Sequence, residues 1–380
     1  MQDGKPGAEP GKEAGKFVSF DAVRGLLALI VCIGHSGNIN AVSGGAPLLQ
    51  LGLSSRLAVL AFFALSGFVI AGSLRKNAAR NGGRFDLREY AASRFLRVMP
   101  PLLGVLALLF VLQNVLHYTG LTTPAARHGR ADFHPDFFKI AVSLCTLGAV
   151  GDLTGNLDGP LWSLRYEIRC YVTAGVLAWL YSGRAGARRL PAVLFLCAYW
   201  FVALFIRNKG LFSNEAPSLF CFAAGMLAYR LYAPRPISRR ALAAGILCFA
   251  CGVAALGGKV HEMDESAALL AAQCLCGVGI AAGIAGMARV NVSLPLLRGL
   301  GGMSYTLYIL HYPLMLTLFF AIRGLRPELF AYPKLLSFAG ILVSLAASAL
   351  FAHWLERDYS GFCRRMARGW KCWHRSEKTA

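Results

Sequence analysis

The chain has 380 residues, 56% hydrophobic and 15% charged, with 39 Lys and Arg against 19 Asp and Glu and a net charge of +20. A soluble domain carries about 25% charged residues, so this composition, with a mean hydropathy of +0.52, excludes a water-soluble globular fold. The basic residues cluster between apolar runs, at 75–97 and 357–378; no basic, aromatic surface domain remains, which excludes nucleic-acid binding and leaves topology and anionic lipid headgroups as their use.

Residues 1–16 form a polar tail with no apolar h-region before a cleavage site, so the first apolar run is expected to be a retained helix. Runs with the length and character of membrane spans follow at 17–38, 57–74, 99–118, 163–181, 190–207, 217–232, 241–256, 266–288, 305–322 and 335–355. A weaker run at 137–150 holds Lys139 and is short for a crossing. The pattern predicts an all-α integral membrane protein: one domain over 17–356 with about ten transmembrane helices, a re-entrant or outward lobe at 119–162, and a basic tail at 357–380. With the N-terminus cytoplasmic, Arg75, Lys76, Arg80, Arg84, Arg88, Arg94 and Arg97 return to the cytoplasm. If 137–150 does not cross, the clusters at 184–189, 235–240, 289–298 and the C-terminal tail fall inside too, which places both termini in the cytoplasm. No internal repeat of the transporter kind is visible.

Ionisable groups within a span are costly and mark functional sites. Arg24 and His35 are eleven residues apart in the first span, about three helical turns, so they share a face about 16 Å apart along the axis. Asp21, one turn before Arg24, can pair with it. His35 is the natural proton acceptor, because an unperturbed imidazole titrates near pH 6.5, and can take the proton of a hydroxyl that attacks a thioester. The bland alternative is a histidine that hydrogen-bonds a neighbouring helix and an arginine that snorkels. Arg94 and Arg97, at i and i+3 before Met99-Pro100-Pro101, present two guanidinium forks suited to phosphate oxygens; alone they also fit positive-inside charge.

Ser163 and Glu167 lie four apart at the start of the span that follows Gly159-Pro160-Leu161-Trp162. Glu167 is a candidate to pair with Arg24, Arg165 or Arg169, to orient His35 or to bind an acceptor hydroxyl, and Ser163 to cap the helix. Further on, Ser304 and Tyr305 precede Tyr308 and His311; His311 is either a polar residue gluing helices or part of the site. Ser66 lies inside an apolar run, and no Gly-x-Ser-x-Gly elbow occurs. Eleven cysteines sit mostly in apolar runs, and Cys248 and Cys251, despite CxxC spacing, have apolar flanks that read as filler. His117, His128 and His134 lack metal-ligand spacing, so neither a metal nor a permanent cofactor is expected.

Taken in order, Phe20-Asp21-Ala22-Val23-Arg24-Gly25 with His35, Phe62-Phe63-Ala64-Leu65-Ser66-Gly67-Phe68, Arg94-Phe95-Leu96-Arg97, Leu161-Trp162-Ser163-Leu164 with Glu167 and Tyr171, and Ser304-Tyr305-Thr306-Leu307-Tyr308 with His311 and Pro313 resemble the motifs of the acyltransferase-3 family of membrane O-acyltransferases. The resemblance runs from about 17 to 356. It departs where Arg357-Asp358 follow Glu356 in place of a nearby proline, and no SGNH-type esterase segment accompanies it, so the membrane domain is expected to act alone. The resemblance implies a ten-helix domain of the bacterial inner membrane that passes acyl groups from cytoplasmic acyl-CoA, a co-substrate, to a hydroxyl. It implies that Arg24 and His35 are central to activity and that Arg94 and Arg97 bind the donor. With Glu167 as the third catalytic residue, and Asp21, Trp162, Ser163, Ser304, Tyr305 and His311 in support, the expected reaction is O-acetylation of a cell-surface glycan such as O-antigen or exopolysaccharide, presented directly or lipid-linked. A small secondary metabolite such as a macrolide is the alternative acceptor, and a proton-coupled transporter the alternative of another class.

Overall fold

The computed structural model describes residues 18–42, 52–119, 162–182, 186–205, 214–257, 266–288 and 295–354, with isolated positions at 138, 141–142, 145–146, 290 and 361. Apart from those positions, the tails at 1–16 and 357–380, the lobe at 119–162 and the run at 137–150 lie outside the described residues. Within them every regular element is helical and no strand occurs. The order is α1 (Val18–Val42), α2 (Gly52–Arg80), α3 (Leu87–Tyr118), α4 (Trp162–Tyr181), α5 (Arg189–Phe205), α6 (Ala216–Tyr232), α7 (Arg239–Leu256), α8 (Ala267–Met287), α9 (Pro295–Gly302), α10 (Ser304–Leu325) and α11 (Pro333–Ala352).

Seven of these helices are long and apolar enough to cross a membrane. The three further expected spans fall short for visible reasons: α4 carries Arg165, Glu167 and Arg169, while α5 and α6 have 17 residues each. Helix starts follow ordinary capping. The Ser238 and Ser266 side chains accept from the amides of Ala241 and Leu269 to open α7 and α8. The Asp86 carboxylate does the same for Arg88 and Glu89 at the head of α3.

The core runs through α1, α2, α4, α6 and α10, with Phe20, Val31, Phe63, Phe68, Leu164, Phe222 and Ile309 among its buried residues. The outside is the reverse of a soluble protein. Leu190, Leu194, Phe201, Ile246, Leu247, Leu335, Phe338 and Leu350 are all exposed, which suits a surface solvated by lipid tails. Without a hydrophobic force between helices in lipid, close packing depends on small residues. A Cβ on Gly67 would lie 1.9 Å from the Phe222 carbonyl oxygen, and one on Gly301 would lie 1.9 Å from that of Asp21. The backbones of α2 and α6, and of α1 and α9, therefore touch at glycine.

Three differences from the sequence reading matter for the site. First, α3 does not begin at the prolines but runs through Pro100 and Pro101 from Leu87. Each proline lacks an N–H and frees the carbonyl four residues back, those of Leu96 and Arg97, which membrane helices tolerate; next to them the Tyr305 hydroxyl donates to the Val98 carbonyl at 3.1 Å and ties α3 to α10. Second, α2 extends past its apolar run to Arg80 and ends in a built corner. Gly82 and Gly83 turn the chain with φ of 63° and 80°, a region that favours glycine. The Asn77 amide exchanges hydrogen bonds with the Asp86 backbone at 2.8 and 3.1 Å and reaches Glu89 at 3.2 Å. That corner fixes the angle at which α3 leaves α2. Third, the short helix α9 was not anticipated; it packs on α1 and leads directly into the Ser304 segment.

Candidate active site

A cavity of about 100 Å³ lies among α1, α2, α3, α4 and α10. Its wall carries Arg24, Arg94, Arg97, Ser66, Glu167 and Tyr171, together with Ser163, Ser304, Tyr305 and Tyr308 and apolar neighbours that include Phe62 and Phe63. All five motifs singled out in the sequence thus contribute to it: the first gives Arg24, the second Phe62, Phe63, Leu65 and Ser66, the third Arg94 and Arg97, the fourth Ser163, Leu164, Glu167 and Tyr171, and the fifth Ser304, Tyr305 and Tyr308.

Arg24 pairs with Asp21 at 3.5 Å, one turn earlier on α1, as the spacing predicted. Arg94 lies over the rings of Tyr90 and Tyr171, 5.9 Å from each centroid, and its Nε donates to Ser93 at 3.3 Å. Arg97 is exposed where the wall opens. Neither Arg94 nor Arg97 forms an ion pair among the described residues, so two cationic forks face a space lined by a single carboxylate. Anionic ligand oxygens are the chemistry that completes such an arrangement.

That carboxylate is Glu167. It accepts from the Tyr171 hydroxyl and from Ser66 at 3.3 Å, and Ser66 also lies 3.1 Å from the Tyr171 oxygen. Of the partners considered from sequence, Arg165 and Arg169 go elsewhere. Arg165 donates to the Tyr166 hydroxyl at 3.0 Å. Arg169 forms a buried ion pair with Glu215, at the start of α6. Ser163 does not cap α4 but hydrogen-bonds the Tyr308 hydroxyl, linking the fourth motif to the fifth. Ser304 donates to the Gly301 carbonyl at 2.9 Å, tying α10 to α9. Trp162 stacks edge-on against Tyr166 at 5.6 Å and stands back from the cavity wall.

His35 lies further along α1, away from this wall. Its ring meets those of His311 at 5.4 Å and Tyr312 at 5.5 Å, both on α10. Tyr308 stands between the two regions: it lines the cavity, lies 5.9 Å from Phe62 and is 6.2 Å from the His311 ring. Arg24 and His35 both face α10, three turns apart, one at the cavity and one beyond the Tyr308 layer.

Ser66 and Tyr308 stand within motifs quoted from the sequence but were assigned no role there. Ser66 is a lone hydroxyl in an apolar run, which ordinarily satisfies itself on its own helix. Tyr308 follows Ser304 by one turn, and that shared helical face was the available signal.

The family model for the acyltransferase domain of the acyltransferase-3 family matches residues 17–354. A relative from Rhizobium radiobacter, named protein 2 in the picA locus, is 32% identical over 188 residues, which cover 48% of this chain and 91% of the relative. The O-acetyl transferase of Shigella phage Sf6 is 28% identical over 182 residues, 44% of this chain and 47% of that protein, so the match spans about half of its length. No solved structure matches the chain. The chain belongs to the acyltransferase-3 family; it is an acyltransferase and, with its run of long apolar helices, a multi-pass membrane protein.

Proposed function

We propose that this acyltransferase moves an acetyl group from cytoplasmic acetyl-CoA to a hydroxyl of a cell-surface glycan, directly or on a lipid carrier. The observation that supports it most is the cavity whose wall carries Arg24, Arg94, Arg97 and Glu167, with Arg24 on the helix that also bears His35. The name of the phage relative supports the O-acetyl part of the reading. The protein would sit in the bacterial inner membrane with about ten crossings and both termini cytoplasmic, because the positive clusters then fall on one side.

The phosphates of the donor rest on Arg94 and Arg97, and Arg24 holds the inner part of the donor. The acceptor hydroxyl meets the thioester near His35. As the oxygen attacks the carbonyl, its proton passes to His35, the carbon–sulfur bond breaks and CoA leaves as the thiol after protonation. Glu167, held by Tyr171 and Ser66, orients the acceptor or the chain of groups leading to His35.

Purified protein in lipid nanodiscs with labelled acetyl-CoA and a glycan acceptor tests the reading. Transfer of label is expected, with His35→Ala reducing it by about 100-fold or more while labelled donor still binds. Full transfer by a folded His35→Ala protein would falsify the base assignment. Transport of the acceptor without covalent labelling would favour the transporter reading instead.

A further inference from the structure

His311 is fully buried, at 0% exposure, behind the half-buried His35. Its Nδ1 lies 2.9 Å from the Leu307 carbonyl one turn back. A carbonyl only accepts, so Nδ1 carries the proton and Nε2 carries a lone pair. That Nε2 is buried with no hydrogen-bond partner among the described residues. Native interiors rarely tolerate this, and an unmet buried polar atom calls for an explanation.

A gluing role does not supply one. The side-chain bond of His311 stays within its own helix, and the link to α11 comes from its backbone carbonyl, which accepts from Ser344 at 3.4 Å. The ring that faces it is His35, 5.4 Å away between centroids and tilted by 40°. At that separation, ring nitrogens turned toward one another come within hydrogen-bond distance. The Tyr308 ring is also near, at 6.2 Å, but its hydroxyl is engaged with Ser163.

We propose that His311 is a positioning residue whose Nε2 accepts the N–H of His35, fixing the tautomer that leaves the other His35 nitrogen unprotonated toward the acceptor hydroxyl. The inference rests on the reading of His35 as the base. A neutral imidazole holds its proton on either nitrogen, and the hydrogen bond made by one decides the state of the other. When His35 takes the proton of the attacking hydroxyl, the bond to His311 remains and holds the resulting imidazolium in place.

Two side chains separate the two bonds of His311. His311→Asn keeps a donor for the Leu307 carbonyl but has no lone pair at the Nε2 position; His311→Gln keeps an acceptor there. With labelled acetyl-CoA as donor, the asparagine variant is expected to lose about 10- to 100-fold in kcat with unchanged donor KM, and the glutamine variant to recover most of it. Nitrogen-15 NMR of histidine-labelled wild-type protein, with His35→Ala to assign the His35 signals, is expected to show one dominant neutral tautomer. An asparagine variant as active as the glutamine one, or two populated His35 tautomers in the wild type, overturns the proposal. Full transfer by His35→Ala overturns the base assignment beneath it, and that result is read without either His311 variant.

Discussion

Replacing Gly67 by alanine places a methyl group where α2 and α6 meet backbone to backbone. The added Cβ would lie 1.9 Å from the Phe222 carbonyl oxygen and 2.8 Å from its carbon. Backbone cannot rotate aside as a side chain can, so the helices must separate by roughly 1 Å, which belongs at the upper end of overpacking costs, about 3 kcal/mol. The better helix propensity of alanine offsets about 1 kcal/mol, leaving a net loss of about 2 kcal/mol. The shift also carries Ser66, the adjacent residue, away from Glu167 and Tyr171, and a 1 Å displacement in a catalytic site costs on the order of 100-fold in rate. Gly225→Ala makes the reciprocal contact, 1.9 Å from the Ala64 carbonyl oxygen, and should behave alike. Gly283→Ala is the control, since no atom lies within 4 Å of its added Cβ. Thermal unfolding in detergent, followed by tryptophan fluorescence, and transfer of label from acetyl-CoA are the two readouts. If Gly67→Ala and Gly225→Ala unfold and react like the parent, or Gly283→Ala is harmed as much, glycine does not set the α2–α6 approach.

Arg94→Gln and Arg97→Gln should each raise donor KM by about 10- to 100-fold, the equivalent of one charged hydrogen bond of about 1.5–3 kcal/mol, with a smaller effect on kcat. Titration of acetyl-CoA in the transfer assay measures this; an unchanged KM in both variants removes the arginines from donor binding. Glu215→Ala removes the buried carboxylate that Arg169 pairs with and should destabilise the protein by about 3–5 kcal/mol, seen as loss of folded protein on size-exclusion chromatography, whereas joint replacement of Arg169 and Glu215 by Met and Leu should recover much of the loss. A single Glu215→Ala as stable as the parent would mean that water reaches the pair.

Much of the helical order was legible because each apolar run in lipid must satisfy its own backbone as a helix. The run at 266–288 and helix α8 (Ala267–Met287) agree nearly to the residue, and Ser266 supplies the cap. Legibility failed where polarity and helicity separate. Leu87–Val98 is helical yet carries Arg88, Arg94 and Arg97, and the prolines looked like its boundary. Helix α9 has eight residues and no buried side chain, too little for a periodic signal, although Gly301 on it meets α1. Site residues were legible as types within motifs: Arg24, Arg94, Arg97, Glu167, Ser163, Ser304 and Tyr305 do share one wall. Their partners were not, because Glu167 with Ser66 and Arg169 with Glu215 are contacts between helices 101 and 46 positions apart. Spacing within one helix predicted Arg24 with Asp21 and could predict nothing across the bundle.

The pairing of Arg24 with Asp21 has a bearing on how the protein is made. Helix α1 leaves the ribosome well before α10, which supplies Tyr305 and Tyr308 to the cavity and also bears His311. A lone arginine at the centre of a helix opposes membrane insertion by about 2.5–3.5 kcal/mol. A carboxylate one turn away travels with it and gives the nascent segment its own counter-ion. Helix α1 can therefore enter the bilayer as a nearly neutral unit and wait there, and the reactive assembly comes into being only when α10 folds back onto it.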